Sequence, residues 1–323
     1  MPTIAVFVCP QTVLSSLGSA LDAFALANQL AGEELFKVSK VSADGQDVST
    51  LYATVAVDGG LALADKADLL LIPAIGQQVR AVIERNPLLL DWLRTHAAGP
   101  VQLASLCSGA FLLGAAGVLD GHRATTHWAL EDRFRQAFPR VRLAIEQLVT
   151  HDGRVLCSGG AQAGLDLCLY IVRLHGGEWL ARQVANALVF ESGRGLQSRF
   201  VPRLPAPQVQ DQAIAQLQRW LEQHFAEPIG LEAMAARIHC SPRSLSRRFK
   251  EATGLTPNDY LQRVRIAAAE SELVAGSEAI ERIASRVGYE NRTAFAKLFK
   301  QVTGETPAAY RQRCRVGDSA HAG

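Results

Sequence analysis

The segment FKEATGLTPNDYLQRVR, Phe249–Arg265, returns fifty residues later as FKQVTGETPAAYRQRCR, Phe299–Arg315. Ten of the seventeen positions are identical, from Phe249/Phe299 and Lys250/Lys300 to Arg265/Arg315. That agreement is far beyond chance, and it means that a supersecondary unit has been duplicated. Working outward, each copy reads as helix, turn, helix. In the first, Leu231, Met234, Ala235 and Ile238 make one apolar stripe, and a polar turn covers 239–241. Ser241 is a natural N-cap and Pro242 a natural first helical residue. The next helix buries Leu245, Phe249 and Ala252 and stops at Gly254, the expected left-handed cap. In the second copy Ile280, Ile283, Ala284 and Val287 form the first helix, and Gly288 the turn. Asn291 caps a helix that buries Phe295, Leu298, Phe299 and Val302.

The outer faces of the two second helices are basic. The first presents Arg243, Ser246, Arg247 and Lys250, and the second Arg292, Thr293 and Lys297. A short amphipathic helix of this kind fits a DNA major groove, where Arg bonds guanine bidentately and Ser or Thr reaches bases or phosphates. A solvated helix face explains one such stripe equally well. Two stripes in matching positions favour the DNA reading.

These residues resemble the AraC-type DNA-binding domain over about 211–315, and its signature resembles AIERIASRVGYENRTAFAKLFKQVTGETPAAYR, residues 279–311. The resemblance implies an all-α unit with two helix-turn-helix motifs joined by a long helix, here about 257–274. Its recognition helices would enter successive major grooves of double-stranded DNA, about 34 Å apart. Carried over by position, the base-facing residues are Arg243, Ser246 and Arg247, then Arg292, Thr293 and Lys297. Ala296 stands where relatives often hold a polar contact, so the second helix is expected to read fewer bases. Net charge adds little: residues 206–323 carry 16 Lys and Arg against 13 Asp and Glu, and residues 1–205 carry 17 against 18.

Upstream, residues 191–208 (ESGRGLQSRFVPRLPAPQ) hold two glycines and three prolines without apolar period, which predicts an exposed linker. The expected layout is a domain over 1–191, a linker over 192–209, a DNA-binding domain over 210–316 and a disordered tail over 317–323. In the first domain short apolar runs at 4–9, 36–41, 69–74 and 101–107 alternate with helical spacing at 14–30, 78–96 and 108–119. Such alternation predicts an α/β, flavodoxin-like fold: a mostly parallel sheet with helices on both faces. Residues 141–149 and 155–157 read as a hairpin, followed by helices at about 160–174 and 178–190.

The same domain holds SLCSG at 105–109, where a strand gives way to a helix. A strand-to-helix elbow projects Cys107 outward, and Gly109 allows close packing. A helix N-terminus is expected to lower the thiol pKa, and His127 in ATTHW, residues 124–128, could sit beside it. LCSGAFLLGAAGVLDGHRATTHW, residues 106–128, resembles the PfpI-like members of the class I glutamine amidotransferase superfamily. It resembles still more closely the sensor half of AraC regulators that carry such a domain. The enzymes of that superfamily place an acid beside the cysteine, and alignment puts Ser16 at that position; Asp22, the nearest carboxylate, falls about two turns later. Ser108 stands where the family has His after the cysteine. Cys107 and His127 therefore read as an elbow retained in a ligand pocket, as packing residues, or as catalytic groups; the first is favoured, and the chain is not expected to be an enzyme.

The combined resemblance implies a transcription regulator, an activator more often than a repressor. Its effector would be a small, nitrogen-containing metabolite such as an amino acid, quaternary amine or polyamine. Ser16, Cys107, Ser108 and His127 are the expected pocket residues. RNA polymerase is an implied partner, as is a second copy of the chain, joined through the first domain. A Cys-dependent hydrolase or hydratase with an appended DNA-binding module, and a cysteine-based redox sensor, are the alternatives. The six cysteines, at 9, 107, 157, 168, 240 and 314, form no CxxC pair and no metal-ligand spacing, so no cofactor or metal is expected. They point to reduced thiols in a cytoplasm. No apolar run reaches the length of a membrane span, and residues 4–9 are too short and lack the basic lead of a signal peptide.

Overall fold

Runs of Ile, Val and Leu in the first half build a seven-stranded sheet, as their alternation with helical segments predicts. The computed structural model describes residues 1–192, 194, 196–197, 211–275 and 278–312. The chain divides into two units between residues 201 and 202. The tail at 317–323, most of the linker, Arg313 and Arg315 lie outside the described residues.

The strands of the first unit are β1 (Thr3–Phe7), β2 (Lys37–Ser42), β3 (Gly59–Gly60), β4 (Leu69–Ile72), β5 (Gln102–Ser105), β6 (Val149–Asp152) and β7 (Val155–Ser158). They lie in the order β6-β7-β5-β4-β1-β2-β3, and every pairing is parallel except β6 with β7. The run β2-β1-β4-β5-β7 is the flavodoxin-like order. Alternate residues enter two different cores. Phe7, Leu70, Ile72 and Leu103 face one, with Trp92 and Phe111; Val6, Leu69, Leu71 and Ala104 face the other, with Phe24 and Leu167. Covered on both sides, these strands need no polar face, hence their continuous apolar runs.

Helix α1 (Leu14–Ala31) and the long α6 (Ala163–Ala187) cover one face. Gly177, at φ +82°, breaks the helical path inside α6, so two helices lie end to end there. The opposite face carries α2 (Val79–Arg85), α3 (Pro87–Thr95), α4 (Ala110–Ala115) and α5 (Glu131–Ala137). The single helix expected over 78–96 is two, because Pro87 has no N–H and disfavours helical backbone at the residue before it. Asn86 sits at the break, its side-chain amide donating to the Val82 carbonyl at 2.7 Å. The hairpin is shorter than read: residues 142–143 leave it to pair in parallel with Arg123–Ala124.

The second unit is helical: α7 (Gln212–His224), α8 (Leu231–Arg237), α9 (Pro242–Thr253), α10 (Pro257–Ala275), α11 (Ile280–Arg286) and α12 (Arg292–Thr303). Ser241 Oγ accepts the Ser244 N–H, and Asn291 Oδ1 accepts those of Thr293 and Ala294. Gly254 and Gly304 close α9 and α12 at φ +73° and +84°. The two turns differ by a residue. The positive-φ positions His239 and Gly288 are 49 apart in number, whereas the caps Ser241 and Asn291 are 50 apart.

Each motif has its own core, one around Leu245, Phe249 and Tyr260 and the other around Ile283, Phe295 and Phe299, and Phe225 touches both. Arg265 on α10 joins them. Only 8% exposed, it donates from Nε to the Phe225 carbonyl and from Nη2 to that of Glu227, both at 2.8 Å. Its guanidinium lies 5.5 Å from the Tyr289 ring of the second motif. Gly288 is glycine for this reason: a Cβ there would meet Arg265 and the Ala226 carbonyl at 3.0 Å. Arg265→Ala strands two carbonyls and opens a hole between the motifs. It is expected to lower the stability of the second unit by about 2–4 kcal/mol, read by native-state hydrogen exchange of α10 and α11; unchanged exchange would dismiss the strut.

Candidate functional site: a sulfur-floored cavity and two basic helices

At the C-terminal end of β5 the chain turns within three residues. Leu106 is extended, Cys107 adopts φ +55°, and a 3-10 turn over Cys107–Gly109 leads into α4. Glycine is required at 109, because a Cβ would lie 2.5 Å from the Ile72 carbonyl oxygen and 2.7 Å from that of Pro73. The Thr126 hydroxyl donates to the Cys107 carbonyl at 2.9 Å and fixes the elbow from the other side.

Cys107 opens into a cavity of about 320 Å³ at the C-terminal ends of the strands, where open α/β sheets hold ligands. The structure brings all four expected residues together there: Ser16, from the first turn of α1, with Cys107, Ser108 and His127. Ser16 Oγ accepts the Ala74 N–H at 3.1 Å and Ser108 Oγ the Ile75 N–H at 2.9 Å. His127 Nδ1 accepts the Ala129 N–H at 3.0 Å, which leaves the ring proton on Nε2 in the neutral form. Burial holds the His127 pKa below its usual value, so the ring is neutral at pH 7. Its edge lies over Gly160, where a Cβ would be 2.4 Å from His127 Cδ2.

The thiol departs from expectation. Burial raises the Cys107 pKa above that of a free thiol, and hydrogen bonds from Ala161, Ser108 N–H and the Ser108 side chain offset this only in part. The helix that should have favoured thiolate is a 3-10 turn followed by six residues, too little dipole to outweigh desolvation. His127 is not among the groups that hold the sulfur. Asp22 is exposed and outside the cavity wall. Neutral cysteine without a base is poor machinery for nucleophilic catalysis. Alkylation of Cys107 by iodoacetamide, in which sulfur displaces iodide from carbon, should still be accelerating above pH 9. Peptide mass spectrometry would read the rate, and a plateau below pH 7 would establish a thiolate site instead.

Several wall residues carry no sequence signal: Gln77, Arg133, Gln162 and Ala161, the last at φ +46°. More consequential is Gln197, placed by sequence in an exposed linker. It is 2% exposed. Its amide nitrogen donates to the carbonyls of Thr126 at 3.0 Å and Ile145 at 2.7 Å, and its oxygen accepts the Gly160 N–H at 2.6 Å. Gln197 thus links the residue before His127 to the residue before Ala161.

On the second unit, Arg243, Arg247 and Lys250 of α9, and Arg292, Thr293 and Lys297 of α12, are exposed; Ser246 is half-buried. Ser246 donates its hydroxyl to the Pro242 carbonyl at 2.9 Å, leaving its oxygen free to accept. Two of the guanidiniums are paired: Arg247 with both carboxylate oxygens of Glu251 at 3.1 Å, and Arg292 with Glu281 of α11. Arg248, on the same helix, is structural. It makes a bidentate pair with Asp211, the N-cap of α7, at 2.8 and 3.0 Å.

An α/β unit with a cavity at its strand ends, followed by paired basic helix-turn-helix motifs, is the architecture of a DNA-binding regulator. The DJ-1/PfpI family model matches residues 5–174, and a helix-turn-helix domain model matches residues 234–313. The HTH-type transcriptional regulator GbdR of Pseudomonas aeruginosa is 28% identical over 88% of this chain and 77% of its own. A crystal structure of an AraC family transcriptional regulator from Pseudomonas putida matches with TM-score 0.51 and 26% identity, covering 58% of this chain and all of that one. Isonitrile hydratase of Pseudomonas putida is 39% identical over 26% of this chain and 36% of its own. The chain belongs to the DJ-1/PfpI family and, through its C-terminal helix-turn-helix domain, to the AraC-type transcriptional regulators. Among the described residues no helix is long and apolar enough to cross a membrane.

Proposed function

We propose that residues 1–191 sense a small, nitrogen-containing metabolite in the Cys107 cavity and that residues 210–316 read promoter DNA, most simply as an activator that recruits RNA polymerase. The observation that carries this reading is an enzyme-like elbow deprived of its chemistry: a neutral thiol, a seryl hydroxyl in the acid's place, and no Asp or Glu among the described residues of the cavity wall. The protein acts in the cytoplasm, as a dimer joined through its first unit.

DNA is read by Arg243, Ser246 and Arg247 with Lys250, and by Arg292 and Thr293 with Lys297. The ion pairs of Arg247 and Arg292 do not oppose this. Exposed pairs are worth about 0–1 kcal/mol, less than the roughly 1–3 kcal/mol of a bidentate contact to guanine, so each guanidinium exchanges its carboxylate for a base. On an operator selected from random double-stranded DNA, Arg247→Ala should weaken binding by about 1–3 kcal/mol. An equal loss on random DNA would make it a phosphate contact, and no loss would put the reading face elsewhere.

Gln197 carries the signal out of the cavity. A ligand that shifts His127 or Ala161 displaces the carbonyl and N–H groups that Gln197 grips, five residues or fewer from the segment leading to the second unit. The likeness to isonitrile hydratase favours a competing reading, chemistry at Cys107, and a redox sensor would depend on the same sulfur. A promoter reporter in cells separates binding from either use of the sulfur. Cys107→Ser keeps induction if the cavity only binds, whereas loss of induction with intact operator binding would favour cysteine chemistry. Gln197→Ala should abolish induction while leaving operator binding in vitro intact; normal induction would remove it from the path.

A further inference from the structure

We propose that the cavity selects an anionic head group, a carboxylate, and that Arg133 at its rim supplies the counter-charge. This rests on the reading of the cavity as the effector site and narrows the effector to a small carboxylate such as an amino acid. Polyamines and simple quaternary amines are excluded as effectors.

The inference follows from the direction of the hydrogen bonds in the wall. Ser16 Oγ, Ser108 Oγ and His127 Nδ1 each already accept a backbone N–H, from Ala74, Ile75 and Ala129. Each anchor occupies an acceptor site and leaves the group's own proton, O–H or Nε2–H, to be given away. The Ser108 side chain and the N–H groups of Ser108 and Ala161 lie within hydrogen-bonding reach of the Cys107 sulfur, a weak acceptor that a stronger one can displace. Donors therefore converge on the cavity from three segments, after β1, β5 and β7. A carboxylate, with two oxygens and about four lone-pair sites, is their complement, and charge-assisted bonds of this type are the stronger ones.

Charge points the same way. Among the described residues of the wall there is one guanidinium, Arg133 of α5, and no carboxylate. Arg133 is exposed, and its Nη1 makes only a long 3.4 Å contact to the Gln77 carbonyl, which leaves most of its planar fork for bidentate use. A cation entering the cavity would give up hydration and meet no opposite charge, an uncompensated cost. Val13, Leu130 and Leu165 supply apolar wall for a short carbon skeleton. An ammonium group on the same molecule is left to its own carboxylate or to water at the mouth.

Cys107 lets the charge preference be measured without knowing the effector. The full chain is alkylated with iodoacetate and, separately, with iodoacetamide at one pH, and the Cys107 peptide is quantified by mass spectrometry. Both reagents lose iodide to the same thiolate, so its pKa cancels in the ratio of rates. The iodoacetate-to-iodoacetamide ratio at Cys107 should exceed that of N-acetylcysteine by about fivefold or more. It should fall as salt rises and return to the free-thiol value in Arg133→Gln. A second measure compares the sulfonate-bearing and trimethylammonium-bearing methanethiosulfonates, which form a disulfide with Cys107 and release methanesulfinate; the anionic reagent should be favoured there also. A free-thiol ratio, or preference for the cationic reagent, overturns the proposal. A raised ratio that Arg133→Gln leaves unchanged overturns the role of Arg133. These ratios read the charge of the cavity whether or not it controls transcription, which the reporter measures separately.

Discussion

The close approach of Gly109 to the backbone of β4 governs the first unit. With room for a hydrogen but not a methyl group against the Ile72 and Pro73 carbonyls, the chain leaving β5 has to turn at once, and Cys107 takes up a left-handed backbone that costs free energy for any residue with a Cβ. Bonds from the Ile75 N–H to Ser108 Oγ and from the Thr126 hydroxyl to the Cys107 carbonyl hold that strain in place. The sulfur reaches the cavity because backbone packing puts it there, so the elbow can outlast the chemistry that enzymes perform with it. A fold can keep the shape of an active site for its rigidity alone.

The second unit depends on a different kind of constraint. Its two motifs have separate cores, and each alone would be a small bundle with little buried area. Helix α10 belongs to both, and the Arg265 guanidinium ties the segment after α7 to the turn of the second motif. Tyr260 adds a bond to Glu222 at 2.6 Å on one side, and Tyr289 binds Gln262 on the other. What these contacts fix is the spacing between α9 and α12, and in a DNA-binding protein with two helix-turn-helix motifs spacing is the property that matters.

Much of this was legible in the chain itself. The repeat announces both motifs, Ser241, Asn291, Gly254 and Gly304 announce their ends, and the elbow and its resemblance point to Ser16, Cys107, Ser108 and His127 as residues of one pocket. These positions are readable because local geometry dictates residue type: a cap needs a short acceptor, and a left-handed position favours glycine. The break at Asn86–Pro87 was also written in the sequence, but the apolar period running through it masked the proline. Three features could not have been read. Arg133 is one exposed arginine among many. The raised Cys107 pKa reflects how much protein covers the sulfur, which no five-residue motif encodes. Gln197 lies among glycines and prolines that signal open loop, yet three partners 37, 52 and 71 residues away bury it.

The extra residue in the second helix-turn-helix gives the reader a head and a tail. One turn closes on His239 and the other on the crowded Gly288, one recognition helix opens with a proline and serine cap and the other with asparagine, and their outward residues differ. The second motif is therefore not a copy of the first on the face it turns outward, and the two cannot stand in for one another. Such a pair would ask of DNA two different half-sites in a fixed order.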